Sequence, residues 1–170
     1  MEPPAIAAEV GQQLEAREAT VATAESATGG LIGSLLTDIP GASAYFDRAV
    51  VTYSYRAKLT ALGIDRAVLD AEGAVSAPVA TQMAQRVRDL AQTDWSVATT
   101  GVAGPAGGTA ESPVGTVYIG IAHAGTWGSE ASFARAQRVT VEGDRQAVKY
   151  GFAVAALEEL AAAIVATPDG

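Results

Sequence analysis

A serine, a tyrosine and a lysine gather around one short apolar stretch, PGASAYFDRAVVTYSYRAK, residues 40–58. Ser43 follows a Pro-Gly turn, Tyr53 and Ser54 close the stretch, and Lys58 comes just after. With no cysteine and His123 as the only histidine, a hydrolase built on this chain must use carboxylates, a metal, or a serine paired with a lysine. Lysine ordinarily titrates near 10.4, so only about one in a few thousand is neutral at pH 7. It becomes a base where burial or neighbouring cations lower that value, and a drop of about 3 units is roughly 4 kcal/mol against the charged form. Lys58, at the end of a buried strand, walled by Tyr53 and near Arg48, is placed to feel that pressure, and Tyr53 can orient the amine or relay a proton. Two serines compete to be the nucleophile. Ser54 is one helical turn before Lys58 if the helix begins early, whereas Ser43 must meet Lys58 through the fold. Tyr53 and Ser54 alternate to opposite faces while they are strand, so spacing alone leaves the choice open.

A second set of residues suits an anion. Residues 20–26 (TVATAES) read as a strand, and Ser26-Ala27-Thr28-Gly29-Gly30 turns into a helix, with Thr28 as N-cap. Backbone N–H groups left free at such a helix start can bind an anion; the same residues also describe an ordinary capped turn. The stretch GVAGPAGGTAESPVG, residues 101–115, holds Gly101, Gly104, Gly107 and Gly108 within eight residues. Consecutive N–H groups there can form a nest around a phosphate or carboxylate, against the alternative of a flexible surface loop. It is neither a P-loop nor a GxGxxG fingerprint. Thr100, at the end of the preceding strand, is a companion donor. Arg145 stands in the first turn of the last helix, where the macrodipole disfavours a cation; it is either a surface arginine or one aimed at a bound anion.

The remaining segments are scaffold. Helices are expected over residues 4–17, 31–37, 55–62, 65–72, from Ser76 as N-cap through Leu90, and 144–164. Strands are expected over 20–26, a buried one over 48–54, 94–100, and an antiparallel pair over 114–122 and 129–139 with His123 in a solvent-facing turn. This order predicts an α/β fold, a three-layer α/β/α single domain over residues 1–170 with a mixed sheet. A net charge of -8 with no basic cluster argues against a nucleic-acid surface. No apolar run is long enough to span a membrane and the N-terminus is acidic rather than signal-like, so a cytoplasmic protein is the default expectation. One histidine and no cysteine leave no His-based metal cluster.

The segments AESATGG (24–30), DIPGASAYFDRAVVTYSYRAK (38–58), GAVSAPVA (73–80), TGVAGPAGGTAESPVGTVYIG (100–120) and GDRQAV (143–148) occur in order along nearly the whole chain. Together they resemble the CinA C-terminal domain family, whose characterised members hydrolyse nicotinamide mononucleotide to nicotinate mononucleotide and ammonia. The resemblance implies Ser43 as nucleophile, Lys58 as base and Tyr53 as an assisting residue. It further implies a substrate-binding set of Ser26, Thr28, Gly29, Gly30, Thr100, the loop glycines 101, 104, 107 and 108, and Arg145. It implies no metal or cofactor, a small nucleotide as partner, and a homodimer. Ala27 replaces a frequent cysteine, and Ser112 replaces a frequent lysine, which removes one positive charge beside the loop. A non-catalytic nucleotide-binding module of the competence or damage response, or a hydrolase of another nucleotide or amide, would carry the same resemblance.

Overall fold

In the computed structural model, which describes residues 4–125 and 132–168, five strands form one sheet between two layers of helices. The elements are α1 (Ala5–Ala16), β1 (Val21–Glu25), α2 (Leu31–Thr37), β2 (Phe46–Val51), α3 (Tyr55–Leu62), α4 (Arg66–Glu72), α5 (Ala77–Ala91), β3 (Trp95–Gly101), β4 (Thr116–His123), β5 (Phe133–Thr140) and α6 (Arg145–Ala166). The sheet order is β2-β1-β3-β4-β5; β1 pairs in parallel with β2 and β3, and β4 is antiparallel to both β3 and β5. The mixed three-layer sheet matches the expectation, and so do the helices, to within a residue or two at each end.

Side-chain size decides how close each layer sits. Val21, Val97, Val117, Ile119 and Ile121 face a core closed by Val10 and Leu14 of α1, Ile32 and Leu36 of α2, and Phe152, Leu157 and Leu160 of α6. The opposite face carries Ala22, Ala24, Ala98 and Ala122, packed against Val79, Met83 and Val87 of α5 with Leu62 and Leu69 from α3 and α4. Alternation along each strand sends the branched residues one way and the alanines the other. Small residues on the α5 side draw that helix down onto the sheet: the Ser96 hydroxyl donates to the Ala84 carbonyl at 2.6 Å. A Cβ on Gly120 would strike the Ala80 carbonyl.

Two expectations change. The strand after Ser43 is not buried: β2 is a sheet edge with most of its residues exposed, because it pairs only with β1. Residues with high β-propensity suit an edge as well as a centre. His123 ends β4 rather than sitting in a turn, and its ring lies 4.2 Å from that of Trp95. Residues 129–131 of the expected final strand, and part of the turn before them, lie outside the described residues.

Gly120→Val therefore should cost at least about 2 kcal/mol by overpacking the interface between α5 and β4. Urea unfolding checks this, and an unchanged midpoint would show that α5 can move away freely.

Candidate active site

The carboxyl ends of the three parallel strands converge on one small cleft, as open α/β sheets generally arrange. β1 delivers Ser26, whose N–H donates to the Thr99 carbonyl of β3 at 3.0 Å. β2 ends at Val51, and the Thr52 N–H donates to the Glu25 carbonyl at 2.8 Å, so this neighbour is pinned as well. The chain then turns into α3, where the Ser54 hydroxyl accepts from the Ala57 N–H as an N-cap. That cap places Lys58 one turn into the helix with its side chain directed back under the strand ends.

Lys58 is only 1% exposed. Its Nζ donates to Ser26 Oγ at 2.9 Å and to the Thr52 carbonyl at 2.8 Å. Among the described residues no carboxylate pairs with it, and burial of the charged amine lowers its pKa from 10.5 to about 8. At pH 7 about one molecule in ten then carries a neutral Lys58, against one in a few thousand for a solvated lysine. Arg48 has no part in this shift: it is exposed on β2 and paired with Asp47. Ser26 Oγ therefore rests against an amine that is easily deprotonated, the arrangement that activates a hydroxyl for attack on a carbonyl.

Neither of the two serines weighed from spacing reaches Lys58. Ser43 lies exposed in a 3-10 turn, Ala42–Ala44, at the amino end of β2. The six residues of β2, at about 3.3 Å each, put roughly 20 Å between its two ends. Ser54 spends its hydroxyl on the cap of α3. The partner is Ser26, placed by a strand remote in sequence.

The turn after Ser26 is also organised differently from the expectation. The buried Glu25 carboxylate accepts from the N–H groups of Gly30 (3.0 Å), Ile32 (3.0 Å) and Gly33 (2.9 Å), and from the hydroxyls of Thr28 (2.7 Å) and Thr23 (3.1 Å). The start of α2 thus holds an anion that the chain itself supplies, and its amides are not free for a ligand. Thr28 is not an N-cap; its buried hydroxyl bridges Glu25 and Thr99 Oγ1. Gly29 and Gly30 shape this turn without lining the cleft. Glu25 carried no sequence signal beyond its place at the end of an apolar strand before a glycine pair.

The cleft is a cavity of about 300 Å³ lined by Ser26, Ala27, Tyr53, Lys58 and Arg145, together with the loop after β3. Gly101, Gly104 and Gly107 of that loop line it; Gly108 instead turns toward Val114. Among the described residues, the amides of Ala103, Gly104, Ala106 and Gly107 donate to no protein acceptor, which is what a nest for a polar ligand requires. Thr100 lines the cavity, but its hydroxyl is committed to the Ala74 carbonyl at 2.6 Å. Arg145 donates to the Gly104 carbonyl and, at 2.9 Å, to the Tyr53 hydroxyl. Tyr53 therefore meets the arginine and not Lys58. Ser112 lies outside the cavity lining and closes a turn with Thr109. Among the described residues no group of three His, Cys, Asp or Glu side chains converges on a metal position, and no helix is long and apolar enough to cross a membrane.

Fold and site define a three-layer α/β/α domain with a buried serine–lysine pair at the carboxyl ends of its parallel strands. The family model of the CinA C-terminal domain matches residues 4–164, and the chain belongs to that family. A CinA-like protein of Salinibacter ruber is 50% identical over 150 residues, 88% of this chain and 35% of its own length. One from Chlorobaculum tepidum is 51% identical over 144 residues, 85% of this chain and 34% of its own. The chain thus spans about a third of the length of these curated relatives. Among solved structures, competence damage-inducible protein A of Klebsiella pneumoniae subsp. pneumoniae MGH 78578 superposes with a TM-score of 0.89 at 30% identity, covering 96% of this chain and 98% of that one. The competence/damage inducible protein CihA of Agrobacterium tumefaciens gives 0.86 at 34% identity, covering 97% and 98%.

Two stability outcomes follow from these buried groups. Lys58→Met should be about 1–3 kcal/mol more stable than the native chain at pH 7, since folding no longer desolvates an ammonium. The native pKa is lowered, so the unfolded chain binds the extra proton and native stability climbs between about pH 8 and 10.5. The variant's advantage should shrink across that window in melts at pH 7 and pH 10; parallel curves would mean that burial does not penalise the charged amine. Glu25→Gln, which turns an acceptor into a donor facing backbone N–H groups, should lose about 3 kcal/mol. Urea titration reads it directly, and a loss under 1 kcal/mol would contradict the role assigned to the carboxylate.

Proposed function

We propose that the domain hydrolyses the carboxamide of nicotinamide mononucleotide, giving nicotinate mononucleotide and ammonia, with Ser26 as nucleophile and Lys58 as base. The observation that carries this reading is the 2.9 Å contact between Ser26 Oγ and a lysine whose burial lowers its pKa to about 8. The substrate rests on the resemblance of the sequence motifs to nicotinamide-nucleotide amidohydrolases, and a cleft of about 300 Å³ is of the size that holds a small ligand.

In this mechanism neutral Lys58 takes the Ser26 hydroxyl proton as Oγ bonds to the carboxamide carbon. The Thr52 carbonyl holds the amine in line throughout. Lys58 then returns the proton to the departing nitrogen, which leaves as ammonia, and an ester to Ser26 remains. Water, giving its proton to Lys58, cleaves that ester to the carboxylate and restores the serine. The N–H of Ala27 follows the nucleophile, lines the cleft and has no acceptor among the described residues, so it is the donor for the oxyanion. Tyr53 acts at the mouth by holding Arg145 rather than by assisting the proton transfer.

The test is ammonia release from nicotinamide mononucleotide in the presence of a chelator. Ser26→Ala and Lys58→Met should each lose about 10⁴-fold or more in kcat, while Ser43→Ala, remote and exposed, should stay within about twofold. For the native protein kcat/KM should rise about tenfold per pH unit below 8 and level off above it, because the free enzyme's base must be neutral. Full activity in Ser26→Ala would remove the proposed nucleophile. A native protein that releases no ammonia yet melts higher with the nucleotide would instead be a binding module.

A further inference from the structure

Arg145 and Lys149 stand four residues apart on α6, one turn above the other on the same face. Like charges at that spacing repel, and the first turns of a helix are electrostatically the wrong place for them. Nothing among the described residues compensates. Arg145 donates only to two neutral oxygens, the Gly104 carbonyl and the Tyr53 hydroxyl. Lys149 has neither a hydrogen bond nor an ion pair. The nearest carboxylate in sequence, Asp144, is engaged in capping α6 through the Ala147 N–H. In a chain of net charge -8, an exposed Arg145 and a half-buried Lys149 stand side by side with no carboxylate partner among the described residues.

The direction of Lys149 adds the second observation. A Cβ built on Gly29 would lie 3.5 Å from Lys149 Nζ, so the ammonium rests over the bare turn that follows Ser26 and Ala27. Gly29 has φ +62, a left-handed conformation that leaves this spot without a side chain. The amides of Gly29 and Gly30 are already taken, by the Ser26 carbonyl and by Glu25. Lys149 is therefore an uncommitted charge over Gly29, just outside the cleft lining, with Arg145, which does line the cleft, one turn away at the glycine loop.

We infer that Lys149 and Arg145 form a clamp for a terminal phosphate monoester, with Lys149 supplying the free charge that makes the site prefer a nucleotide to its nucleoside. This rests on the reading of the cleft given above: a carboxamide at Ser26 leaves the far end of the same molecule, beyond a pyridine ring and a ribose, at α6. Lys149 would act on binding and not on the acyl transfer.

The experiment measures calorimetric dissociation constants for nicotinamide mononucleotide and for nicotinamide riboside, which lacks the phosphate, in the Ser26→Ala background so that neither probe turns over. Lys149→Met keeps the chain length and removes the charge. It should weaken the mononucleotide about tenfold or more, as expected for a lost charge-assisted contact, and leave the riboside unchanged. Lys149→Arg should retain most of the affinity. Equal binding of the two probes by the parent, no measurable binding of the mononucleotide, or an equal loss for both probes in Lys149→Met would each overturn the clamp. Ammonia release by the otherwise native protein is read separately. A protein that discriminates the phosphate through Lys149 yet releases no ammonia sustains the clamp and overturns the amidase reading.

Discussion

The constraint on which this structure depends is the exclusion of water from one amine. Lys58 is stripped of nearly all solvent without a carboxylate to neutralise it, so the folded chain carries an electrostatic cost of a few kcal/mol at neutral pH. Only rigid surroundings can sustain that. The Thr52 carbonyl and Ser26 Oγ provide two fixed acceptors, and both are held at the ends of strands in the centre and at the edge of one sheet. Charge state and geometry at the site are thereby set by backbone elements rather than by flexible side chains.

Glu25 keeps the other half of the pair in place. A strand that ends inside the protein and turns at once into a helix leaves several N–H groups facing inward, and each unpaired one would be costly. The Glu25 carboxylate satisfies three of these and two hydroxyls besides. Its backbone carbonyl accepts from Thr52 at the same time. The residue before the serine thus ties together the turn that presents Ser26 and the neighbouring strand that presents the lysine's second acceptor. The same close fit appears in the α5 layer, where alanines and Gly120 let a helix backbone approach the sheet.

Periodicity and turn chemistry made much of this fold legible in advance. The capping serine at 76 and the helical spacing over residues 55–62, 65–72 and 144–164 are local signals with local causes, and the helices fall where those signals put them. Lys58 and the glycine loop also stood out, because an isolated lysine after an apolar strand and four glycines in eight residues are unusual as residue types. The partner of Lys58 was not legible. Nearness in the chain points to Ser54 and the family resemblance to Ser43, whereas Ser26 comes from an adjacent parallel strand, and parallel neighbours are necessarily distant in sequence.

By itself the sequence determined which residue types were on hand, an α/β alternation with a late antiparallel pair, and a lysine that had to be buried to be chemically useful. Tertiary structure alone decided that β2 is an edge and that β1, remote in sequence, presents the serine to Lys58. It also decided that Glu25 turns inward and fills the helix start that a ligand would otherwise use. The physical reason is that capping and periodicity act over a few neighbouring residues, while strand order and burial come from the packing of the whole chain. A hydroxyl and an amine meet only where that packing brings two strand ends together.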